Sequence, residues 1–133
     1  MVLIDTNVLI DIATKDSVWF DWSSKQLSRL INERNAVINP VIYAELIPLY
    51  ETTRELDLNL VPSSDIRRIP LPFSAAAPAS RAFLAYRKAG GQKTSPLPDF
   101  FIGAHAEAEG IVLLTRDASR YRTYFPSVTL ISP

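Results

Sequence analysis

Short apolar runs alternate along the chain with longer stretches of helical periodicity. The opening MVLI is an apolar run bounded by Asp5, and Thr6 and Asn7 are residue types that cap helices, so a buried strand should turn directly into a helix continuing through NVLIDIA. Apolar Trp19, Phe20, Leu27, Leu30 and Ile31 recur at near-helical spacing among Ser, Lys, Gln and Arg, which predicts an amphipathic helix over 19–31. AVIN at 36–39 reads as the second strand. Asn39 followed by Pro40 is a cap and then a proline at the first helical position, the order that starts a helix. That helix carries Tyr43, Glu45 and Leu46, and Pro48 should end or kink it. Residues 51–60 read as a short helix and VPSSD as a turn, while Pro70 and Pro72 confine RRIPLP to an edge strand or deny it altogether. A helix is predicted from about Ala75 to Ala89. Gly90 and Gly91 stop it and open a flexible loop holding Lys93 and two more prolines. Pro98 and Asp99 open another helix, which Gly110 closes; IVLLT at 111–115 is a strand fit for burial on both faces, and TLIS at 129–132 is the last strand. Strands separated by helices imply right-handed crossovers and a mainly parallel α/β sheet covered on both sides.

The chain's 133 residues correspond to one domain with a core large enough to need no staples. Cys is absent, which excludes a disulfide framework, an iron–sulfur cluster, a zinc knuckle and a thiol nucleophile, and a single His excludes imidazole-rich metal sites. Oxygen ligation remains, which suits hard cations such as Mg²⁺ or Mn²⁺. No apolar run approaches the roughly 20 residues of a membrane helix, and Asp5 interrupts what would have to be the apolar stretch of a signal peptide, so a cytoplasmic protein is expected. Net charge is zero but unevenly distributed: residues 1–66 hold ten acids and five bases, residues 67–133 four acids and nine bases. Such asymmetry points toward nucleic-acid contact, though one folded surface can mix the two halves.

In open α/β sheets ligands bind beyond the carboxyl ends of the strands. Asp5 ends the first strand, Thr115 and Asp117 end IVLLT, Asp99 starts the preceding helix, and Glu45 lies in the helix after AVIN. Four acids from distant segments can therefore converge, an arrangement whose mutual repulsion is best relieved by divalent cations. Each also has a plainer reading: Asp5 and Asp99 as helix caps, Glu45 as a solvated helix residue, Asp117 as the start of a turn in TRDASR.

VLIDTNVLI, the isolated Glu45 after NPVIYAE, PDFFIGAHA around Asp99 and LLTRD around Asp117 resemble the motifs of PIN-domain ribonucleases, and within them the VapC toxins of type II toxin–antitoxin pairs. The resemblance runs from Val2 to Ile131; the segment from Leu60 to Pro78 is proline-rich and carries none of its motifs. It implies a five-stranded parallel sheet with helices on both faces and metal-dependent endonucleolytic cleavage of RNA. By the same resemblance Asp5, Glu45, Asp99 and Asp117 match the family's acidic positions, and Thr6, Asn7 and Thr115 its polar supporting positions. Asp5 and Asp99 are then expected as main ligands of one or two Mg²⁺ ions, with Glu45 and Asp117 binding directly or through water, and Thr6 or Thr115 orienting them. His105 is expected in packing or on the surface rather than as a base.

Removing the four site acids leaves ten acids against 14 bases, a mildly cationic remainder suited to phosphate, with Lys88, Lys93, Arg116, Arg120 and Arg122 as candidate RNA contacts. The expected partners are an RNA such as tRNA or rRNA, a VapB-type antitoxin and a second copy of the chain. The apolar residues Trp19, Phe20, Trp22, Ile47, Leu49 and Tyr50 would supply the contact surface. An Arg of the antitoxin is expected to enter the acidic pocket in place of a metal. A PIN nuclease that processes RNA without being a toxin fits the same motifs. A phosphoacceptor receiver domain would need paired acids near the first strand and a Lys after the last one, and no Lys follows Lys93; a haloacid-dehalogenase-type phosphatase would need an acid where Asn7 stands.

Overall fold

The computed structural model describes residues 1–94 and 97–133. Five strands, β1 (Val2–Ile4), β2 (Ala36–Ile38), β3 (Arg67–Arg68), β4 (Val112–Leu114) and β5 (Leu130–Ile131), form one sheet in the order β3-β2-β1-β4-β5. Every pairing is parallel, with Leu3 opposite Val37 on one side and Leu113 on the other. Successive strand residues face opposite sides of a sheet. Leu3 and Ile4 are both fully buried, as are Leu113 and Leu114, so the sheet is covered on both faces. The chain runs outward from β1 through β2 to β3, then crosses back to β4 and β5. The strand order therefore reverses at β1 and β4, and it is beyond the carboxyl ends of strands at such a point that open α/β sheets bind their ligands.

Seven α-helices lie among the described residues: α1 (Thr6–Ala13), α2 (Phe20–Asn32), α3 (Pro40–Leu46), α4 (Thr53–Asn59), α5 (Ala76–Lys88), α6 (Pro98–Glu109) and α7 (Ser119–Tyr124). At Asn39 the expected cap forms: its Oδ1 accepts from the Ile42 N–H at 3.0 Å, with Pro40 in the first turn. Pro48 ends α3 as expected, the chain tightening into a 3₁₀ turn over Ile47–Leu49. Another 3₁₀ turn, Phe73–Ala75, leads into α5. The doubtful third strand is real but two residues long and at the sheet edge, clear of Pro70 and Pro72. The loop expected after Gly90 includes Ser95 and Pro96, which lie outside the described residues.

Helix α6 is the central covering helix, with Phe100 and the whole run Ile102 to Ala106 buried. Gly103 lets the Phe125 ring lie directly on the helix backbone, because any β-carbon there would occupy the space of that ring. Gly110 closes α6 in the left-handed conformation at φ 62°, which glycine adopts without strain. One element was not anticipated: TRDASR, read as turn chemistry, leads into the six-residue helix α7. Six residues are too few to display helical periodicity, and α7 is held by Tyr121 and Phe125, both buried in the core.

Candidate functional site

The Asp5 backbone continues the β1–β4 ladder, its N–H donating to Leu114 O at 2.9 Å, and then starts α1 as its N-cap. Its carboxylate does not cap the helix. Oδ2 instead accepts from Thr115 Oγ1 at 2.7 Å and Asn7 Nδ2 at 3.0 Å, so side chains after β4 and in the first turn of α1 hold it at the carboxyl end of the sheet. The cap reading of Asp5 is thereby corrected at the level of its side chain. Asn7 is itself oriented, since its Oδ1 accepts from the Arg116 N–H at 3.3 Å. Thr115 Oγ1 in turn accepts from the Asp117 N–H at 3.1 Å, pinning the turn that carries Asp117. Asp117 itself is exposed on the rim.

Thr6 reaches from the start of α1 to α3, donating through Oγ1 to Glu45 Oε1 at 2.7 Å; Glu45 is therefore tied to the strand-end cluster rather than free in solvent. Asp99 sits in the first turn of α6, behind Leu97 as N-cap and Pro98, so it is not the cap either. A carboxylate there is favoured by the helix dipole. Its Oδ2 is 3.3 Å from Arg120 Nη1.

The electrostatics bind these groups into one set. Asp5 is 3% exposed, and burial pushes its pKa up to about 6; the Thr115 hydrogen bond opposes that rise, and the Asp99 charge adds to it. Burial likewise raises Glu45, with Asp99 contributing, and raises Asp99 despite Arg120, with Asp117 contributing. Three carboxyls so raised by low dielectric and mutual repulsion call for positive charge. Among the described residues no three acid, His or Cys side chains already stand at metal-ligand spacing. The donor set nevertheless fits Mg²⁺ or Mn²⁺, because Mg²⁺ commonly takes only one or two carboxylates and keeps several waters.

Among the cationic candidates, Arg120 alone pairs with a site acid, and its guanidinium also lies 5.6 Å from the centre of the Phe100 ring. Arg116 is drawn to the other side: its Nε donates to both carboxylate oxygens of buried Asp11, at 3.1 and 3.0 Å, and Ser23 Oγ adds a bond of 2.8 Å. Arg122 donates to Ser132 Oγ; Lys88, in the last turn of α5, and Lys93 are exposed. His105 is buried in packing, as expected. The Asn39 cap bond fixes its amide so that Nδ2 donates to His105 Nδ1 at 3.0 Å, leaving the ring proton on Nε2, 3.8 Å from Glu109. Burial lowers the His105 pKa, which keeps the ring neutral. A cleft of about 520 Å³ lies at the amino ends of β2 and β3 beside Arg34 and Arg67 and contains none of these residues.

Two residues were missed in the sequence. Asp11 is a lone acid in an apolar helix, a visible but ambiguous signal. Tyr121 had no signal, because the helix carrying it was not anticipated. Its ring is buried, and burial, followed by the charges of Asp5, Asp99 and Glu45 and the hydrogen-bonding influence of Asp5, holds its hydroxyl pKa well above the usual tyrosine value.

An all-parallel α/β sheet with acidic side chains gathered at its switch point places a donor set suited to a divalent cation where such sheets bind their ligands. The PIN domain profile matches residues 2–126, and the chain belongs to the PIN-domain family, whose members are nucleases that use divalent metal ions. No curated protein matches the chain by sequence. Among solved structures, it is similar to a chain of VapBC2 from Rickettsia felis bound to a promoter DNA fragment, with 19% identity and TM-score 0.72 over 99% of this chain and 98% of that one. It is also similar to chains of DNA-bound VapBC from Salmonella typhimurium (17%, 0.70, 98% and 96%) and of FitAcB from Neisseria gonorrhoeae (21%, 0.69, 98% and 96%). At these identities the likeness establishes the fold.

Proposed function

We propose that this protein is a Mg²⁺- or Mn²⁺-dependent endoribonuclease, the toxin of a VapBC-type pair, that cleaves structured cytoplasmic RNA such as tRNA or rRNA and so inhibits translation. The observation that carries the reading is the linked set Asp5, Glu45, Asp99 and Asp117 at the switch point, of which buried Asp5 and half-buried Glu45 and Asp99 are raised in pKa by desolvation and by neighbouring acids. When bound, one or two divalent ions supply charge neutralisation at the phosphate, an activated water and a stabilised leaving oxygen. Asp5 and Asp99 are the main ligands, with Glu45 and Asp117 completing the set directly or through water. Thr115 and Asn7 hold Asp5 in place, and Thr6 does the same for Glu45. Arg120, the cation already at Asp99, is the first of the candidate contacts for an incoming phosphate; Lys88, Lys93, Arg116 and Arg122 are further contributors.

The partner reading rests on the named complexes, each of which pairs two components, and on the exposed apolar positions Ile47 and Leu49 near half-buried Tyr50 and on the half-buried group Trp19, Phe20 and Trp22. These would take a VapB-type antitoxin and a second copy of the chain. An antitoxin Arg entering among the acids would silence the enzyme by replacing the cation. The test is RNA cleavage by purified protein with Mg²⁺, Mn²⁺ or EDTA, alongside Asp99→Ala. Cleavage that persists in EDTA, or in a folded Asp99→Ala protein, overturns the assignment.

A further inference from the structure

Among the described residues Asp11 is the one acid outside the candidate site that the fold buries; it is 1% exposed, on apolar α1. Its charge is met by Arg116, whose Nε donates to both carboxylate oxygens at 3.1 and 3.0 Å. Ser23 Oγ, from α2, donates to one of those oxygens at 2.8 Å, and the guanidinium lies 5.9 Å from the centre of the Trp19 ring at the head of α2. Taking two charges out of water costs much of what their attraction returns, and apolar side chains of similar volume commonly stabilise a fold as well or better. Stability alone therefore does not explain why the pair is there. What a buried pair with three bonds provides is a fixed position for Arg116.

That position matters because Arg116 stands in the chain between two groups of the site. Thr115 Oγ1 donates to Asp5 Oδ2 at 2.7 Å and accepts from the Asp117 N–H at 3.1 Å. The Arg116 N–H itself donates to Asn7 Oδ1 at 3.3 Å, a long bond and by itself a weak tether. Asn7 and Asp11 are one turn apart and share a face of α1. Between them they take Arg116 by its backbone and by its side chain, so the turn carrying Thr115 and Asp117 is docked on α1 at two points. We propose that Asp11 and Arg116 are positioning residues of the acidic site. Their buried pair clamps this turn onto α1 and so sets where Asp117, and through Thr115 the Asp5 carboxylate, stand toward a divalent cation. The inference rests on the metal-dependent reading above. Neither residue is a ligand, since both oxygens of Asp11 are already bonded within the protein. Partners that orient ligating side chains in this way typically carry a 10- to 100-fold effect on metal affinity.

The test replaces the whole polar group at once, Asp11→Leu, Ser23→Ala and Arg116→Met together, so that no buried charge or hydroxyl loses its partner. One negative and one positive charge leave together, so a change in Mn²⁺ affinity reports position rather than net charge. Calorimetry should show Mn²⁺ binding weakened about 10- to 100-fold, while the urea midpoint in EDTA stays level or rises. RNA cleavage should drop at limiting Mn²⁺ and recover at saturating Mn²⁺, a pattern that a merely structural pair would not give. Should the triple variant not fold, Asp11→Asn with Arg116→Met, which keeps the shape of Asp11 and an acceptor for Ser23, decides by the same readout. Mn²⁺ affinity equal to that of the wild type overturns the clamp and leaves the metal-dependent reading standing. With that equality, a raised KM for RNA makes Arg116 an RNA contact only, and a lowered urea midpoint assigns the pair to folding. A wild type that binds no Mn²⁺ overturns both readings.

Discussion

Replacing Asp5 with Asn should stabilise the metal-free protein while abolishing its proposed activity. Asp5 is almost fully buried, and its pKa rises from 3.8 to about 6, with burial the first cause. The folded protein therefore holds the Asp5 proton more tightly than the unfolded chain does. That advantage is fully present below pH 3.8 and is lost as pH rises through about 6, so at neutral pH the ionised carboxylate is a net burden on the fold. The shift corresponds to about 3 kcal/mol. Asn has the same shape, and its carbonyl oxygen can accept from Thr115 and Asn7 as Oδ2 does, so the packing and both hydrogen bonds survive while the charge is removed. Relief of Asp99 acts in the same direction, since Asp99 and Asp5 repel each other. At a urea dependence of about 1–3 kcal/mol per molar, the midpoint at pH 7.5 in EDTA should rise by on the order of 1–3 M. The gap should close as pH falls toward 4. Added Mn²⁺ should then stabilise the wild type and leave Asp5→Asn unmoved, because a ligand stabilises only the state that binds it. A variant that is less stable than the wild type at pH 7.5, or a stability difference that does not change with pH, would refute the electrostatic reasoning.

Three further outcomes follow from the same geometry. Cleavage should fall away below pH about 6, where Asp5 takes up its proton, and higher Mn²⁺ should move that acid limb to lower pH; a limb indifferent to metal concentration would speak against Asp5 as a ligand. Arg120→Gln should bind Mn²⁺ more tightly, because Asp99 loses its competing cation, and should bind RNA more weakly, opposite changes that calorimetry and a KM measurement separate. Gly103→Ala should cost about 1–3 kcal/mol in a denaturant titration, since the new methyl meets the Phe125 ring that seats α7 on α6; a neutral substitution would mean that contact yields easily.

The sequence by itself determined the order of elements and the candidate acids. Apolar runs at MVLI, AVIN and IVLLT, separated by helical periodicity, leave little choice but parallel strands with helical crossovers, and Asn39–Pro40 and Gly110 punctuate their helices through local chemistry that needs no partner. Local signals of this kind are legible because cap, proline and left-handed glycine preferences act within a few residues. Whether Asp5 caps a helix or faces a crevice could not be read locally, since either role uses an acid at a strand–helix junction. Tertiary structure decided it, by bringing Thr115, 110 residues away, within 2.7 Å of its carboxylate. Arg116 and Arg120 lie four residues apart and look alike in the sequence; the fold gives one to buried Asp11 and the other to Asp99. Helix α7 shows the same limit. Six residues lack the length to display a period, and what holds them helical is the burial of Tyr121 and Phe125 against elements distant in the chain, a stabilisation that exists only once the sheet and α6 are in place.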